Sequence, residues 1–368
     1  MTKVLMTGNE AIAEAAIRAG CEAYFGYPIT PQSEILEYMS RRMPELGRPF
    51  LQAESELAAI NMIYGAACGG ARVMTSTSSP GFSLMQEGIS YIVCSEVPCV
   101  VVNVMRGGPG LGNIQPSQGD YFQMTKGGGH GDYNTIVLAP ATVQEAVDLT
   151  VLAFDLADKY RWVVTVIADG MIGHIMEPVE LPELKPPQRP ERPWALTGAK
   201  GRQKNIITSL YLGGENLERV NLRLQRRLEE IRANEVRYYE YMLEGAEIIV
   251  TAYGTAGRIA QTAVKMAREE GIPAGLFRPI TVFPFPYARL RELTDQAQYF
   301  LVFELSAGQM LEDVRLATRE AKPIHFFGRM GGVVPLAEDI LAEIKKIANS
   351  SSLIPHREPH VVHEHVAG

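Results

Sequence analysis

The feature that most constrains this chain is a repeated alternation of short apolar runs with amphipathic stretches of helical length. In the first half, residues 23–27, 50–52, 73–76, 100–104, 136–139 and 163–168 read as short buried strands. Between them lie helix candidates at 9–19, 31–43, 55–68, 82–93 and 143–159. Thr142 with Glu145 three residues on has the capping-box spacing that starts the last of these. Strands that alternate with helices require long crossovers, and so predict a parallel α/β sheet covered on both faces. After a break the pattern returns: strands are expected at 248–251, 274–278, 299–304 and 324–327, and helices at 255–270, 309–321 and 336–348. Gly271 closes the first of these helices.

The break is built from residues that suit neither element. Pro178, Pro182, Pro186, Pro187, Pro190 and Pro193 stop a helix or a central strand from persisting through this stretch. A Gly- and Lys-rich segment, 198–214, follows. A charged helix is then expected over 215–243, with Val220, Leu224, Leu228 and Ile231 as its single apolar stripe. The tail from Asn349 is polar and carries His356, His360, His363 and His365; a frayed terminus explains it more simply than a metal site.

Composition removes several function classes. Lys plus Arg number 35 against 42 Asp plus Glu, a net charge of -7, so no basic surface for nucleic acid or anionic membrane is expected. No run of about 18 apolar residues is present and Gly8-Asn9-Glu10 interrupts any leader, so a cytoplasmic protein is expected. Cys21, Cys68, Cys94 and Cys99 form no CxxC and sit in apolar segments, which reads as buried packing, with no metal bound. There is no phosphate-loop motif, no complete GxGxxG and no GxSxG.

Three strand-end segments could carry chemistry, since ligands bind outside the carboxyl ends of strands in open α/β sheets. In Tyr27-Pro28-Ile29-Thr30-Pro31, Thr30 either caps the next helix or presents a hydroxyl into a crevice shaped by the prolines. In Leu51-Gln52-Ala53-Glu54-Ser55-Glu56, Ser55 suits an N-cap. Glu56 falls in the first turn, where the helix dipole alone accounts for a carboxylate. In Val104-Met105-Arg106-Gly107-Gly108-Pro109-Gly110-Leu111-Gly112-Asn113, an arginine opens a glycine loop. It is either solvated or placed to hold a carboxylate through two parallel hydrogen bonds. His130, beside Gly127-Gly128-Gly129, is a weaker candidate.

At these segments the sequence resembles the α-type subunit of the 2-oxoacid:ferredoxin oxidoreductases, in its branched-chain (2-oxoisovalerate) and 2-oxoglutarate branches. The resemblance is carried by Gly8-Asn9-Glu10-Ala11, Tyr27-Pro28-Ile29-Thr30-Pro31, Glu54-Ser55-Glu56, and Thr75-Ser76-Thr77-Ser78-Ser79-Pro80-Gly81. It continues through Arg106-Gly107-Gly108-Pro109 and Gly275-Leu276-Phe277-Arg278-Pro279-Ile280-Thr281, and so covers residues 1–345. It implies a pyrimidine-binding domain of thiamine-diphosphate enzymes at 1–185 and a linker with a charged helix at 186–244. A smaller transketolase C-terminal-like α/β domain at 245–348 and a tail at 349–368 complete the expected chain.

The activity it implies is CoA-dependent oxidative decarboxylation of a 2-oxoacid to acyl-CoA, carbon dioxide and reduced ferredoxin. Matched residue by residue, Glu56 would bind the aminopyrimidine of thiamine diphosphate, Thr30 would face the 2-oxoacid beside Tyr27, Pro28 and Ile29, and Arg106 would pair with its carboxylate. The GDG…N segment that holds the diphosphate and Mg²⁺ is missing, Ala168-Asp169-Gly170 being the nearest, and so are cluster cysteines. A β-type partner carrying the diphosphate site and an iron–sulfur cluster is therefore expected, with γ and ferredoxin-like δ subunits and ferredoxin as further partners. Of the cations near the three segments, only Arg106 and Lys126 are obvious, which favours a branched-chain substrate over 2-oxoglutarate. A non-catalytic scaffold subunit, or a thiamine-dependent synthase without redox chemistry, are the competing readings.

Overall fold

A computed structural model describes residues 3–184 and 191–350 of the chain. The histidine-bearing tail expected beyond residue 350 and part of the proline-rich break lie outside the described residues. The larger sheet has seven strands, in the order Thr281–Phe283, Ile136–Leu138, Val163–Asp169, Cys99–Met105, Val73–Thr77, Ala23–Gly26 and Phe50–Gln52. The last six run parallel, whereas Thr281–Phe283 is antiparallel to Ile136–Leu138. Central strands such as Val163–Asp169 and Cys99–Met105 are buried along their whole length, as continuous apolar runs in a sheet covered on both faces must be.

Crossover handedness sorts the helices. Ser33–Glu45 and Val143–Tyr160 each connect strands in one direction along the sheet and pack with Gly8–Arg18. Glu56–Cys68 and Ser79–Cys94 connect strands in the other direction and pack with each other. Right-handed crossovers require these two groups to cover opposite faces. A two-stranded ribbon of Val4–Thr7 with Met176–Val179 lies apart from both sheets.

The second sheet has the order Ile324–Gly328, Tyr299–Glu304, Ile248–Thr251, Ala274–Pro279 and Tyr238–Tyr241, the last antiparallel and the rest parallel. Helices Gly254–Glu269 and Ala337–Asn349 pack together against it.

Three expectations need correction. The charged helix ends at Asn234, not at 243, and Tyr238–Tyr241 is a strand. Glu235 is buried there and accepts from Lys159 Nζ and Tyr160 OH, far away in sequence, and from the nearby Arg237 Nη2, and these bonds hold the chain where the helix gives way to the aromatic, β-favouring run. Its stripe of Val220, Leu224, Leu228 and Ile231 does pack, and it joins the core of the larger sheet.

Pro31 is not in the first turn of its helix, which starts at Ser33. The Pro31 carbonyl accepts from Asn9 Nδ2 at 2.8 Å, so it is engaged outside the helix.

The capping box at Thr142 is half made: Thr142 Oγ1 accepts from Glu145 N at 3.1 Å. The Glu145 carboxylate goes instead to Ala141 N and to Arg278 of the second sheet.

Candidate active site

Every expected site segment lies at the carboxyl edge of the larger sheet. Reading inward from the edge strand, Glu56 follows Phe50–Gln52, Thr30 follows Ala23–Gly26, Ser79 follows Val73–Thr77, and Arg106 follows Cys99–Met105.

The turn carrying Thr30 is held by its backbone oxygens. Tyr27 O accepts from Gln32 Nε2 at 3.1 Å, and Ile29 O from Gln32 N at 3.0 Å. Thr30 O accepts from Arg106 Nη1 at 3.0 Å, and Pro31 O from Asn9. The Thr30–Pro31 peptide is cis. Gln32 is itself fixed, since Ser76 Oγ donates to its Oε1 at 2.5 Å and is shared with Tyr24 OH at 2.6 Å. With the backbone engaged, Thr30 is exposed and its hydroxyl has no partner among the described residues. Tyr27 and Ile29 are half-buried and Pro28 is exposed.

Arg106 is 9% exposed, not solvated. Its Nη1 and Nη2 reach Thr30 O and Leu111 O at 3.0 and 3.1 Å, so the guanidinium sits between the threonine turn and the glycine loop. Its Nε–H is buried without an acceptor among the described residues. An unpaired donor on a permanent cation is costly unless an anion completes it. Ser79 Oγ accepts from Arg106 N at 3.0 Å and donates to Asp120 Oδ2 at 2.6 Å. Burial pushes the Asp120 carboxyl up, against hydrogen bonds from Ser79 and Asn103 that pull it down.

Ser55 caps the next helix, accepting from Ala58 N at 3.2 Å, which sets Glu56 at the first helical position. Glu56 is 4% exposed, and its carboxylate has no hydrogen-bond or ion-pair partner among the described residues. It can lie there because Gly81 has no side chain: a Cβ at Gly81 would come 2.4 Å from Glu56 Oε1 and 2.1 Å from Thr77 Oγ1. Thr30 and Arg106 are thus in direct contact. Glu56 is linked to them through the first turn of Ser79–Cys94, which carries both Ser79 and Gly81.

Two candidates fall away. His130 is exposed, and its carbonyl accepts from Ser90 near the far end of Ser79–Cys94, toward the amino edge of the sheet. Lys126 pairs with the buried Asp313 at 2.5 Å, where Asp313 also accepts from Tyr121 OH at 2.7 Å. Asp169, the nearest approach to a diphosphate motif, is turned inward. It caps the short helix Gly170–His174 and accepts from Thr255 Oγ1 at 2.8 Å, and burial pushes its carboxyl up to about 6. Among the described residues no cluster of ligating side chains could hold a metal ion, and no helix is long and apolar enough to cross a membrane.

Sequence reading missed Asn9, Gln32, Ser79 and Asp120 as site-building residues, although the first and third stand inside motifs already singled out. It also missed Arg329. This arginine is half-buried two residues before Gly331, whose carbonyl accepts from Asn113 of the glycine loop, and its guanidinium has no partner among the described residues.

Comparison with known proteins identifies the family. Residues 14–237 match the family described as pyruvate flavodoxin/ferredoxin oxidoreductase, thiamine-diphosphate-binding, and residues 246–340 match pyruvate:ferredoxin oxidoreductase core domain II. The ketoisovalerate oxidoreductase subunit VorB of Methanothermobacter thermautotrophicus is 51% identical over 96% of this chain and 100% of its own. The 2-oxoglutarate synthase subunit KorA of Methanocaldococcus jannaschii is 38% identical over 91% of this chain and 97% of its own. Among solved structures, a 2-oxoglutarate:ferredoxin oxidoreductase from Magnetococcus marinus superposes with a TM-score of 0.84 at 27% identity. That match covers 94% of this chain and 65% of the other. A split-gene transketolase, at TM-score 0.60 and 16% identity, shares the fold.

The fold and the family matches together define a subunit of the thiamine-diphosphate enzyme class. Within that class the chain belongs to the 2-oxoacid:ferredoxin oxidoreductase family and is an α-type subunit, similar to both the branched-chain and the 2-oxoglutarate members.

Proposed function

We propose that this chain supplies the pyrimidine half of a thiamine-diphosphate site in a heteromeric complex that oxidises a branched-chain 2-oxoacid to its acyl-CoA. The observation that carries the reading is the buried Glu56, its carboxylate unpaired among the described residues, opening a helix at the same sheet edge as Thr30 and Arg106. A carboxylate in that position accepts a hydrogen bond from an aminopyrimidine ring, and the coenzyme supplies the nucleophilic carbon for decarboxylation when bound. Arg106 orients the substrate carboxylate with its remaining N–H groups, and Thr30 presents its free hydroxyl beside it, in a turn shaped by Tyr27, Pro28 and Ile29.

The chain's own residues fit the pyrimidine end and not the charged end. With Asp169 engaged by Thr255 and by its own helix, the diphosphate and Mg²⁺ fall to a β-type partner, as does the iron–sulfur cluster. Coenzyme A and ferredoxin are the other reactants, and γ and δ subunits complete the complex. On this reading residues 1–185 are the pyrimidine-binding domain, 186–244 a linker with its helix, and 245–348 the transketolase C-terminal-like domain.

The branched-chain assignment draws on the 51% identity to a ketoisovalerate subunit, and on Lys126 being consumed by Asp313. Arg329 favours the runner-up, 2-oxoglutarate, because its unpartnered guanidinium could take a distal carboxylate.

The test is to purify the complex formed on co-expression with its neighbouring subunits, and to assay a panel of 2-oxoacids with CoA and a viologen acceptor. Turnover greatest with 3-methyl-2-oxobutanoate, and abolished in Glu56→Ala and Arg106→Ala, is the expected result. Normal turnover in both variants would make the chain a scaffold.

A further inference from the structure

The loop that leaves Arg106 is closed on itself. Gly107 N donates to Gln115 O at 2.9 Å, Asn113 N donates to Gly107 O at 3.0 Å, and Arg106 bridges to Pro116. Gly110 and Gly112 take φ of +73° and +59°, and a Cβ on Gly112 would stand 1.8 Å from Gly107 O, so the loop closes only with glycine there. Between the two ties lie Gly108, Pro109, Gly110, Leu111 and Gly112. Leu111 is the one large apolar side chain among them, and it is 85% exposed. Its carbonyl, two bonds from its Cα, is the oxygen that Arg106 Nη2 holds. The backbone oxygens of Thr30 and Leu111 therefore flank the same guanidinium, and if Arg106 takes the carboxylate, the substrate lies beside both residues.

We propose that Leu111 is a specificity-determining residue whose isobutyl group forms the wall against which the aliphatic chain of the 2-oxoacid packs. The proposal depends on the carboxylate role given to Arg106 under the proposed function. A 2-oxoacid held by its carboxylate carries its branch point only two carbons away, so the branch falls beside whatever flanks the arginine. On one flank stands the polar Thr30; on the other stands an exposed leucine set on a constrained loop. Contact with an aliphatic wall distinguishes a branched chain from a methyl group by about 10–200-fold per methylene-sized difference, without rejecting the smaller substrate.

The complex is reconstituted with its partner subunits carrying wild type, Leu111→Ala, Leu111→Met or Arg106→Ala. Values of kcat/KM are measured for 3-methyl-2-oxobutanoate, pyruvate and 2-oxoglutarate, and assembly is followed by size-exclusion chromatography. Leu111→Ala is expected to lower the ratio of 3-methyl-2-oxobutanoate to pyruvate roughly tenfold, mainly through KM, in a fully assembled complex. Leu111→Met, which keeps the apolar area, is expected to hold that ratio within about threefold. An unchanged ratio in assembled Leu111→Ala overturns the proposal. So does failure of Leu111→Ala to assemble while Leu111→Met assembles with an altered ratio, which would make the leucine a partner contact. Arg106→Ala separates the two claims: it should depress all three substrates alike, and if it does not, the carboxylate role fails, and this proposal with it.

Discussion

Arg278 and Glu145 meet as a bidentate pair, Nη1 to Oε2 at 2.9 Å and Nη2 to Oε1 at 2.5 Å, with the arginine 3% exposed. The arginine comes from the second sheet and the glutamate from a helix on the first, so the pair joins the two halves of the molecule. Removing the carboxylate strands a buried cation that already has an unpaired Nε–H. Glu145→Ala should therefore lose about 3 kcal/mol of stability in denaturant unfolding, and Arg278→Met in the same background should recover part of it. Additive losses would show that the pair does not act as a unit.

Glu56 is buried, and its carboxylate has no partner among the described residues. Glu56→Gln keeps the size of the side chain and breaks no side-chain hydrogen bond among the described residues, so it should leave the melting temperature of the isolated subunit nearly unchanged. In the complex the same variant should lose activity by about 10²-fold or more. Gly81→Ala tests the same carboxylate by sterics, since its new methyl group would occupy the space of Oε1. The same methyl group would also meet the buried Thr77 Oγ1, so turnover is compared at a temperature where circular dichroism shows the variant folded, and there it should be depressed.

Asn9 holds the Pro31 carbonyl, next in the chain to the Thr30 carbonyl held by Arg106, and also donates to Glu34 Oε2 at 2.8 Å. Asn9→Ala frees a buried carbonyl and should cost about 1–2 kcal/mol. If Asn9 positions Thr30 as well as stabilising the turn, kcat/KM for the 2-oxoacid should fall about tenfold at a temperature where the variant is fully folded. Glu34→Gln, which keeps an acceptor for Asn9, should leave kcat/KM near wild type. A fall in stability with unaltered kinetics would limit Asn9 to folding.

Asp169 gives stability a specific pH dependence. Burial raises its carboxyl from 3.8 to about 6 in the folded chain, so between these values the unfolded chain has lost a proton that the folded chain keeps. The native state is therefore penalised progressively as pH rises from about 4 to 6, by on the order of 3 kcal/mol, and the penalty is constant above that. Asp169→Asn keeps an acceptor for Met171 N, Ile172 N and Thr255, and should flatten the stability profile between pH 4 and 6. A wild-type profile and a mutant profile of equal slope in that window would refute the shift.

What was legible in the sequence was whatever left a local pattern. Strands buried on both faces, such as Val163–Asp169 and Tyr299–Glu304, are continuous apolar runs, and helices such as Glu56–Cys68 carry their own caps. The strand-end rule gathers Thr30, Glu56 and Arg106 at one sheet edge from sequence alone. What was not legible was long-range partnership. Gln118 is fully buried and bonds Tyr253 O and Leu305 N, 135 and 187 residues away, and no periodicity announces such a residue. Glu145 looked like half of a capping box because local spacing cannot reveal that an arginine 133 residues later competes for it. The end of the helix expected to reach 243 was hidden for the same reason, since Glu235 there bonds Lys159 and Tyr160, far away in sequence.

The short strand Thr281–Phe283 closes one margin of the larger sheet although it is encoded after most of the second one. During synthesis the first half therefore emerges with Ile136–Leu138 as a bare hydrogen-bonding edge, and it stays bare until the ribosome has passed Phe283. A fragment cut between the two sheets would keep that sticky margin permanently. Completion of the first sheet therefore waits on part of the second.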